Sequence, residues 1–454
     1  MLVNVCAQEE LMTHKAFAMA PPCAMIALLI LSQAALAQVP DEEAWGAKFQ
    51  ATYVWQSKEP FDAPYSGSHS LTTAHETSYS FTATAALGYR PWSGGELYFD
   101  PEVAQGVPLS GLTGLGGLSN GEIARTAGPT PTFYKARLFL RQTWGYGGGQ
   151  DPIESDFNQL AGAADKRRLV ITAGNFAVAD IFDNNAYSHD PRTQFLNWSL
   201  MSHGAYDYAA DARGYSWGMA VEYYRDDWAL RVGRFLEPKQ PNQQSLDERI
   251  LTHYGDQIEL EHAHTIGDRP GKIRLLAFHD RARMASYDDA LALAEQAGTT
   301  PDLGQARNAD RSKSGFGVSL EQNLTADVGV FARASWGDGK TETYAFTEID
   351  RSESGGVSIK GAPWGRAQDT FGAAFARNYL SAAHREYLAA GGLGFFLGDG
   401  RLNYRAEQIL ESYYSVGLLK HAWVTLDWQY IHDPAYNADR GPANIGSVRI
   451  HTEF

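Results

Sequence analysis

Residues 45–55 read WGAKFQATYVW and residues 79–89 read YSFTATAALGY, and these two stretches decide the fold. In the first, Trp45, Ala47, Phe49, Ala51, Tyr53 and Trp55 take every second place, with Gly46, Lys48, Gln50, Thr52 and Val54 between them. In the second, Tyr79, Phe81, Ala83, Ala85, Leu87 and Tyr89 alternate with a face that carries Ser80, Thr82 and Thr84. A period of two is that of a strand, whose successive side chains point to opposite faces. Each apolar face ends in aromatic rings and is small or aliphatic in its middle. About ten residues of that composition cross a bilayer as a tilted strand with rings at both interfaces.

The pattern recurs along the chain. It predicts strands near 45–55, 77–89, 96–103, 133–144, 167–176, 214–224, 228–236 and 255–266. Further strands are expected near 272–280, 314–324, 328–336, 353–361, 370–378, 405–418, 423–432 and 444–454. Short connections such as 90–95, 225–227, 267–271, 325–327 and 419–422 alternate with long ones at 57–76, 104–132, 177–213, 281–313 and 378–404. Short turns on one side and long loops on the other are the plan of an all-β, transmembrane, up-and-down antiparallel barrel. Sixteen strands make an even number, as closure requires, and the long extracellular loops are expected to fold inward. The stretch 337–352 fits this parity as a loop, although Tyr344–Ile349 has strand-like composition. A secreted β-sandwich would also alternate, but its strands average five or six residues and its connections show no short/long rhythm.

Composition agrees. The 454 residues are 44% hydrophobic and 20% charged with a formal net charge of −15, and the mean hydropathy is −0.34. That is too polar for a bundle of membrane helices, and the absence of basic runs argues against nucleic acid as a partner. Residues 1–37 are expected to be a removed signal peptide: Lys15 precedes an apolar core, Met25–Leu31, and Ala35-Leu36-Ala37 is a small-x-small cleavage site. Initiation at Met12 rather than Met1 would remove the uncharacteristic Glu9 and Glu10. Both cysteines, Cys6 and Cys23, fall in that leader, so residues 38–454 would form a single cysteine-free barrel domain. Only Gln38–Glu43 stands before the first strand, which leaves no room there for an energy-coupling plug.

If the apolar face meets lipid, its opposite lines a lumen. Glu96, Asp100 and Glu102 share one parity, and Lys135, Arg137 and Arg141 share one parity on the next strand. Gln257, Glu259 and Glu261 face Lys272 and Arg274 across the 267–271 turn in the same manner. Such rows stabilise strand pairing; as a lumen wall they would also present donors and acceptors to a polyhydroxyl solute, whose hydroxyls need both. Residues 178–213 form the candidate constriction loop. Trp198, Tyr206 and Tyr208 would offer ring faces to a sugar, and Asp183, Arg192, Asp207 and Arg213 would bond its hydroxyls. The same aromatics would serve equally by packing the loop against the wall.

Other motifs carry less. His262 and His264 share a face but lack a third ligand, so no metal site is expected. The glycine run 111–117 lacks the strand-turn-helix setting of a phosphate loop. Ser286–Gly298 reads as a short helix capped by Ser286 or Asp288 and ended at Gly298. No cofactor is expected.

Several long stretches resemble the carbohydrate-selective porins of the OprB family: GELYFDPEVAQGVPLSGLTGLGGLSNGE (95–122), TAGNFAVADIFDNNAYSHDPRTQFLNWSLM (172–201), GAYDYAADARGYSWG (204–218), 390–415 and 432–442. The resemblance covers essentially all of residues 38–454. It implies a sixteen-stranded outer-membrane barrel of Gram-negative bacteria, narrowed by inward loops, that passes glucose and related sugars passively. The expected partners are such mono- and oligosaccharides, outer-membrane lipid and lipopolysaccharide, and the barrel-assembly machinery through the terminal Phe454. The alternative function is an outer-membrane barrel enzyme such as a hydrolase, although no local nucleophile motif stands in the sequence.

Overall fold

The structure is a computed structural model that describes residues 41–123 and 128–454; the expected leader, 1–37, lies outside them. Eighteen strands are present among these residues. They are β1 (Trp45–Lys58), β2 (Glu76–Trp92), β3 (Gly95–Val107), β4 (Thr132–Gly145), β5 (Gln150–Ile153), β6 (Gly162–Asp165), β7 (Arg167–Phe176), β8 (Ser216–Arg225) and β9 (Trp228–Phe235). There follow β10 (Tyr254–Ile266), β11 (Arg269–Met284), β12 (Ala309–Asn323), β13 (Val328–Gly337), β14 (Arg351–Lys360), β15 (Thr370–Tyr379), β16 (Glu407–Leu419), β17 (Ala422–His432) and β18 (Ala443–Glu453). All but β5 and β6 form one closed antiparallel barrel of sixteen strands, each paired with its neighbours in sequence. Closure comes from β1 against β18, with Tyr53 opposite Ile450 and Trp55 opposite Val448. No helix among the described residues is long and apolar enough to cross a membrane.

The alternation sets which face is wet. On β1 the odd positions Trp45, Phe49, Tyr53 and Trp55 are exposed on the outer wall, whereas Gln50, Thr52, Val54 and Gln56 are buried inside. Elsewhere the outer wall exposes Leu97, Leu140, Met219, Leu230, Val232, Ile258, Leu260, Leu275 and Leu320, with Trp92, Trp144, Trp228 and Trp428 among its rings. At the tight β10–β11 turn Gly267 has φ +65°, a conformation in which a Cβ is costly.

Connections at the loop end turn inward and fill much of the barrel interior there. Val178, Phe182, Trp198, Tyr206 and Tyr208 from the 178–213 loop pack with Phe346, Leu388, Phe396 and Tyr436 of other loops and with Phe139, Phe176, Phe235 and Phe278 of the wall. Residues 341–350 are a fully buried loop, as parity required. The helix Tyr287–Ala297 begins at Ser286, whose hydroxyl accepts the Asp289 N–H, and ends at Gly298 with φ +65°.

Two features depart from the expected plan. The turn end is not uniformly short: between β4 and β7 the chain forms the β5–β6 hairpin, and Leu160 N donates to the Tyr98 hydroxyl while Asn158 Nδ2 donates to Asp100. The second is a bulge between β3 and β4, where Asp100 pairs with Arg137 but Pro101 pairs with Lys135, leaving Ala136 unmatched. One extra residue reverses the facing of what precedes it. Lys135 is therefore not on the inner wall with Arg137 and Arg141. It is exposed, with its Nζ 4.4 Å from the ring centroid of outward Trp217.

Candidate functional site

The inner wall carries a ladder of ion pairs that crosses five strands. Arg231 on β9 reaches Glu222 on β8 at 3.2 Å, and Glu259 and Glu261 on β10 at 2.8 and 3.3 Å. Glu261 also meets Lys272 at 3.3 Å and Arg274 at 2.7 Å on β11, and Arg274 reaches Glu321 on β12 at 2.9 Å. Adjacent strands place these groups side by side because the register sets Glu261 opposite Arg274. Across the barrel Arg141 faces Glu96 at 3.5 Å.

Between these walls a cavity of about 650 Å³ opens at the turn end. Arg141 and Glu96 line it on one side, and Glu222, Arg231, Glu261, Lys272, Arg274 and Glu321 on the other. The 178–213 loop contributes Asp180, Ile181, Asn184 and Ala186. Asp180 is tied to the wall by two short bonds from Arg137, at 2.7 Å from Nε and 2.6 Å from Nη2. Burial would raise the Asp180 pKa, but the Arg137 guanidinium outweighs it and holds the carboxyl below its ordinary value. The cavity lining therefore alternates fixed cations with fixed carboxylates.

Other charged residues tie the wall and the inward-folded 178–213 loop together. Asp100 meets Arg137 at 3.4 Å. Glu102 accepts from Thr84 and from the Tyr134 hydroxyl, and lies 3.6 Å from Arg192. Glu259 accepts the Asp183 backbone N–H at 2.8 Å. Asp183 itself is 2% exposed: Arg333 Nε donates to it at 2.9 Å and His203 N at 2.7 Å. Burial again opposes ionisation of Asp183, and the neighbouring Arg333 more than compensates, so its pKa lies below the ordinary carboxylate value.

The loop side chains expected to meet sugar are engaged with protein. Trp198 stacks on Phe346 with centroids 4.8 Å apart and planes 16° off parallel. Tyr206 packs on Tyr208 and Phe278, and Tyr208 on Phe346. All three rings are 7% exposed or less, so their faces are covered and not offered to a passing solute. Asp207 accepts from Lys313, Tyr344 N and Ala345 N. Arg192 donates to Glu122 at 2.9 Å, and Arg213 lies over the Tyr134 ring at 4.4 Å. The loop does reach the cavity, but through Asp180 and Asn184. Sequence reasoning also passed over Arg231, Glu222 and Glu321, although each has the inner parity of its strand.

His262 stacks on Trp228 at 4.2 Å, and no group of three or more His, Cys, Asp or Glu able to hold a metal occurs among the described residues. A family model described as carbohydrate-selective porin, OprB family, matches residues 68–454. OprB of Pseudomonas putida has the same fold, with a TM-score of 0.69 and 16% identity over 90% of this chain and 94% of that one. OccAB1 of Acinetobacter baumannii superposes less closely, with a TM-score of 0.47 and 9% identity over 91% of this chain and 97% of that one. No curated protein matches the sequence.

Proposed function

Because the chain belongs to the OprB family of carbohydrate-selective porins, we propose that glucose and related sugars are selected in the turn-end cavity. The protein is an outer-membrane sugar channel, and its family is one of channels and not of enzymes. The observation that carries the proposal is the cavity lining, in which Arg141, Arg231, Lys272 and Arg274 interleave with Glu96, Glu222, Glu261 and Glu321. Each sugar hydroxyl both donates and accepts, so a wall of fixed cations and carboxylates satisfies it without rearrangement. A neutral apolar solute would leave the same wall unpaid in hydrogen bonds.

Conduction needs binding strong enough to favour entry and weak enough to allow release. A millimolar site corresponds to about 4 kcal/mol, within reach of a few hydroxyl contacts to residues already paired with one another. The 178–213 loop is the constriction in this reading: its buried rings hold it inside the barrel, and Asp180 and Asn184 are its contribution to the path. Glucose block of single-channel current tests the assignment. Lys272→Gln and Arg141→Gln should each raise the half-blocking glucose concentration several-fold. Unchanged block in both would move the selective site elsewhere.

Other roles belong to the same proposal. Lipid acyl chains cover the apolar outer belt, and lipopolysaccharide phosphates meet Arg281, Arg283 and Arg351, which are exposed at its loop end. Phe454, which exchanges backbone hydrogen bonds with Phe49, is the contact read by the assembly machinery. Residues 1–37 are the export signal, and the barrel begins after them.

A further inference from the structure

The β10–β11 wall carries a second constellation, nearer the loop end, that the sugar path does not use. Glu237, just beyond β9, and Asp280 on β11 are each 1% exposed. The two carboxyls lie within hydrogen-bonding reach of one another, and none of their four oxygens has any other partner. Both point at Gly255: a Cβ on that glycine would lie 2.9 Å from Asp280 Oδ1 and 2.9 Å from Glu237 Oε1. The register places Gly255 directly opposite Asp280, and Gln257 two residues further along the same inner face. Gln257 is 1% exposed with both amide atoms unpartnered. Tyr206 packs its ring on Phe278, the residue opposite Gln257, and its buried hydroxyl is unpartnered as well.

The nearby charges do not neutralise the two carboxylates. Lys313 acts on both from a distance, but its hydrogen-bonded partner is Asp207, with Nζ 2.9 Å from Oδ2. Arg231 serves Glu222, Glu259 and Glu261, and Arg234 pairs with Asp256 on the outer face. Unpaired buried carboxylates are untenable without a counter-charge or a proton, and buried polar groups without protein partners call for a water, an ion or a shared proton.

We propose that Glu237, Asp280, the Gln257 amide oxygen and the Tyr206 hydroxyl form a binding site for a divalent cation of the Ca²⁺ class. Two carboxylates, each able to bind through one or both oxygens, with two neutral oxygens, are the donor set that a hard cation takes. Neutral oxygens complete it, which is why it falls outside a pattern of three acidic or histidine ligands. A side chain at position 255 would crowd this region, meeting Ala209 Cβ at 2.6 Å as well as both carboxylates. The site would join three separate parts of the chain, the segment after β9, the β10–β11 wall and the inward loop bearing Tyr206, so that the cation clamps the loop to the barrel.

Calorimetric titration with CaCl₂ tests this on the full-length protein, folded in detergent, freed of lipopolysaccharide and stripped with a chelator. One Ca²⁺ should bind per chain and raise the unfolding temperature, with Mg²⁺ binding more weakly. Glu237→Gln and Asp280→Asn should each weaken Ca²⁺ binding at least tenfold, as should Gly255→Ala, whose methyl group would stand between the carboxylates. Heat-modifiable migration confirms that each variant is folded, and the two isosteric changes decide the matter if the glycine variant is not. Absence of stoichiometric binding to the unmutated protein would overturn the proposal. In that case a more stable Asp280→Asn variant would identify a proton shared between the two carboxyls. Binding that survives all three substitutions would equally overturn it by locating the ion elsewhere.

Discussion

Asp183 shows how single side chains hold the 178–213 loop inside the barrel. Its carboxylate and Arg333 are both essentially buried, 2% and 1% exposed at the side chain, and meet at 2.9 Å. Removing one partner of such a pair leaves an uncompensated charge and costs about 3–5 kcal/mol. Asp183→Ala should therefore lower barrel stability by that order in urea unfolding from vesicles, while Arg333→Met with Asp183→Asn together should recover much of it. Trp198 acts through packing: Trp198→Ala removes the stacking partner of Phe346 and should cost about 3–5 kcal/mol with glucose affinity unchanged. His384 adds a pH dependence. It is buried under the Tyr287 ring, with Nδ1 3.0 Å from Asp350 and Nε2 3.6 Å from Glu348. Burial alone would lower its pKa, but Asp350 and then Glu348 outweigh that and push it up to about 9. A folded pKa above the unfolded value of 6.5 means the contribution is complete below about pH 6.5 and lost as pH rises through about 9. The unfolding temperature should fall across that window, and His384→Gln should flatten the fall.

Elements explain what was legible in the sequence and what was not. The sixteen barrel strands were readable because lipid on one side and protein or water on the other enforce a period of two. Residues 167–176 coincide with β7 to the residue. The bulge at Ala136 was not readable, since an inserted residue leaves the composition of both strands intact. It separates two basic residues that parity had joined. Arg141→Glu should shift ion selectivity towards cations at low salt, because Arg141 lines the cavity. Lys135→Glu should leave reversal potentials unchanged, because Lys135 lies over Trp217 on the outer wall. The inner aromatics had a visible signal that was passed over. Phe139 stands between Arg137 and Arg141 on the inner face, where a water-filled lumen would not place a phenyl ring. Phe176, Phe235 and Phe278 repeat the anomaly, and together they form the wall of the core that receives the folded-in loops. The ring-bearing loop stood out by its length and its aromatic content, but composition could not say whether its rings faced a solute or one another.

At the scale of the molecule the chain is a closed wall with an internal core, and both depend on the last strand meeting the first. Phe454 N donates to Phe49 O at 2.8 Å and Phe49 N to Phe454 O at 3.1 Å, which ends the β1–β18 seam at the turn end. Deleting Phe454 should reduce the folded barrel recovered from outer membranes while export continues. Unchanged yield and heat-modifiable migration would remove that role. If the charged cavity is what selects carbohydrates, uptake should depend on solute chemistry and not on size alone. Liposome swelling with the purified protein, comparing glucose, xylose, maltose and a neutral amino acid at equal osmolarity, tests it most directly. Rapid, saturable swelling is expected in the monosaccharides, slower swelling in maltose, and little in the amino acid. Swelling that follows solute size alone, with the amino acid as fast as glucose, would contradict it.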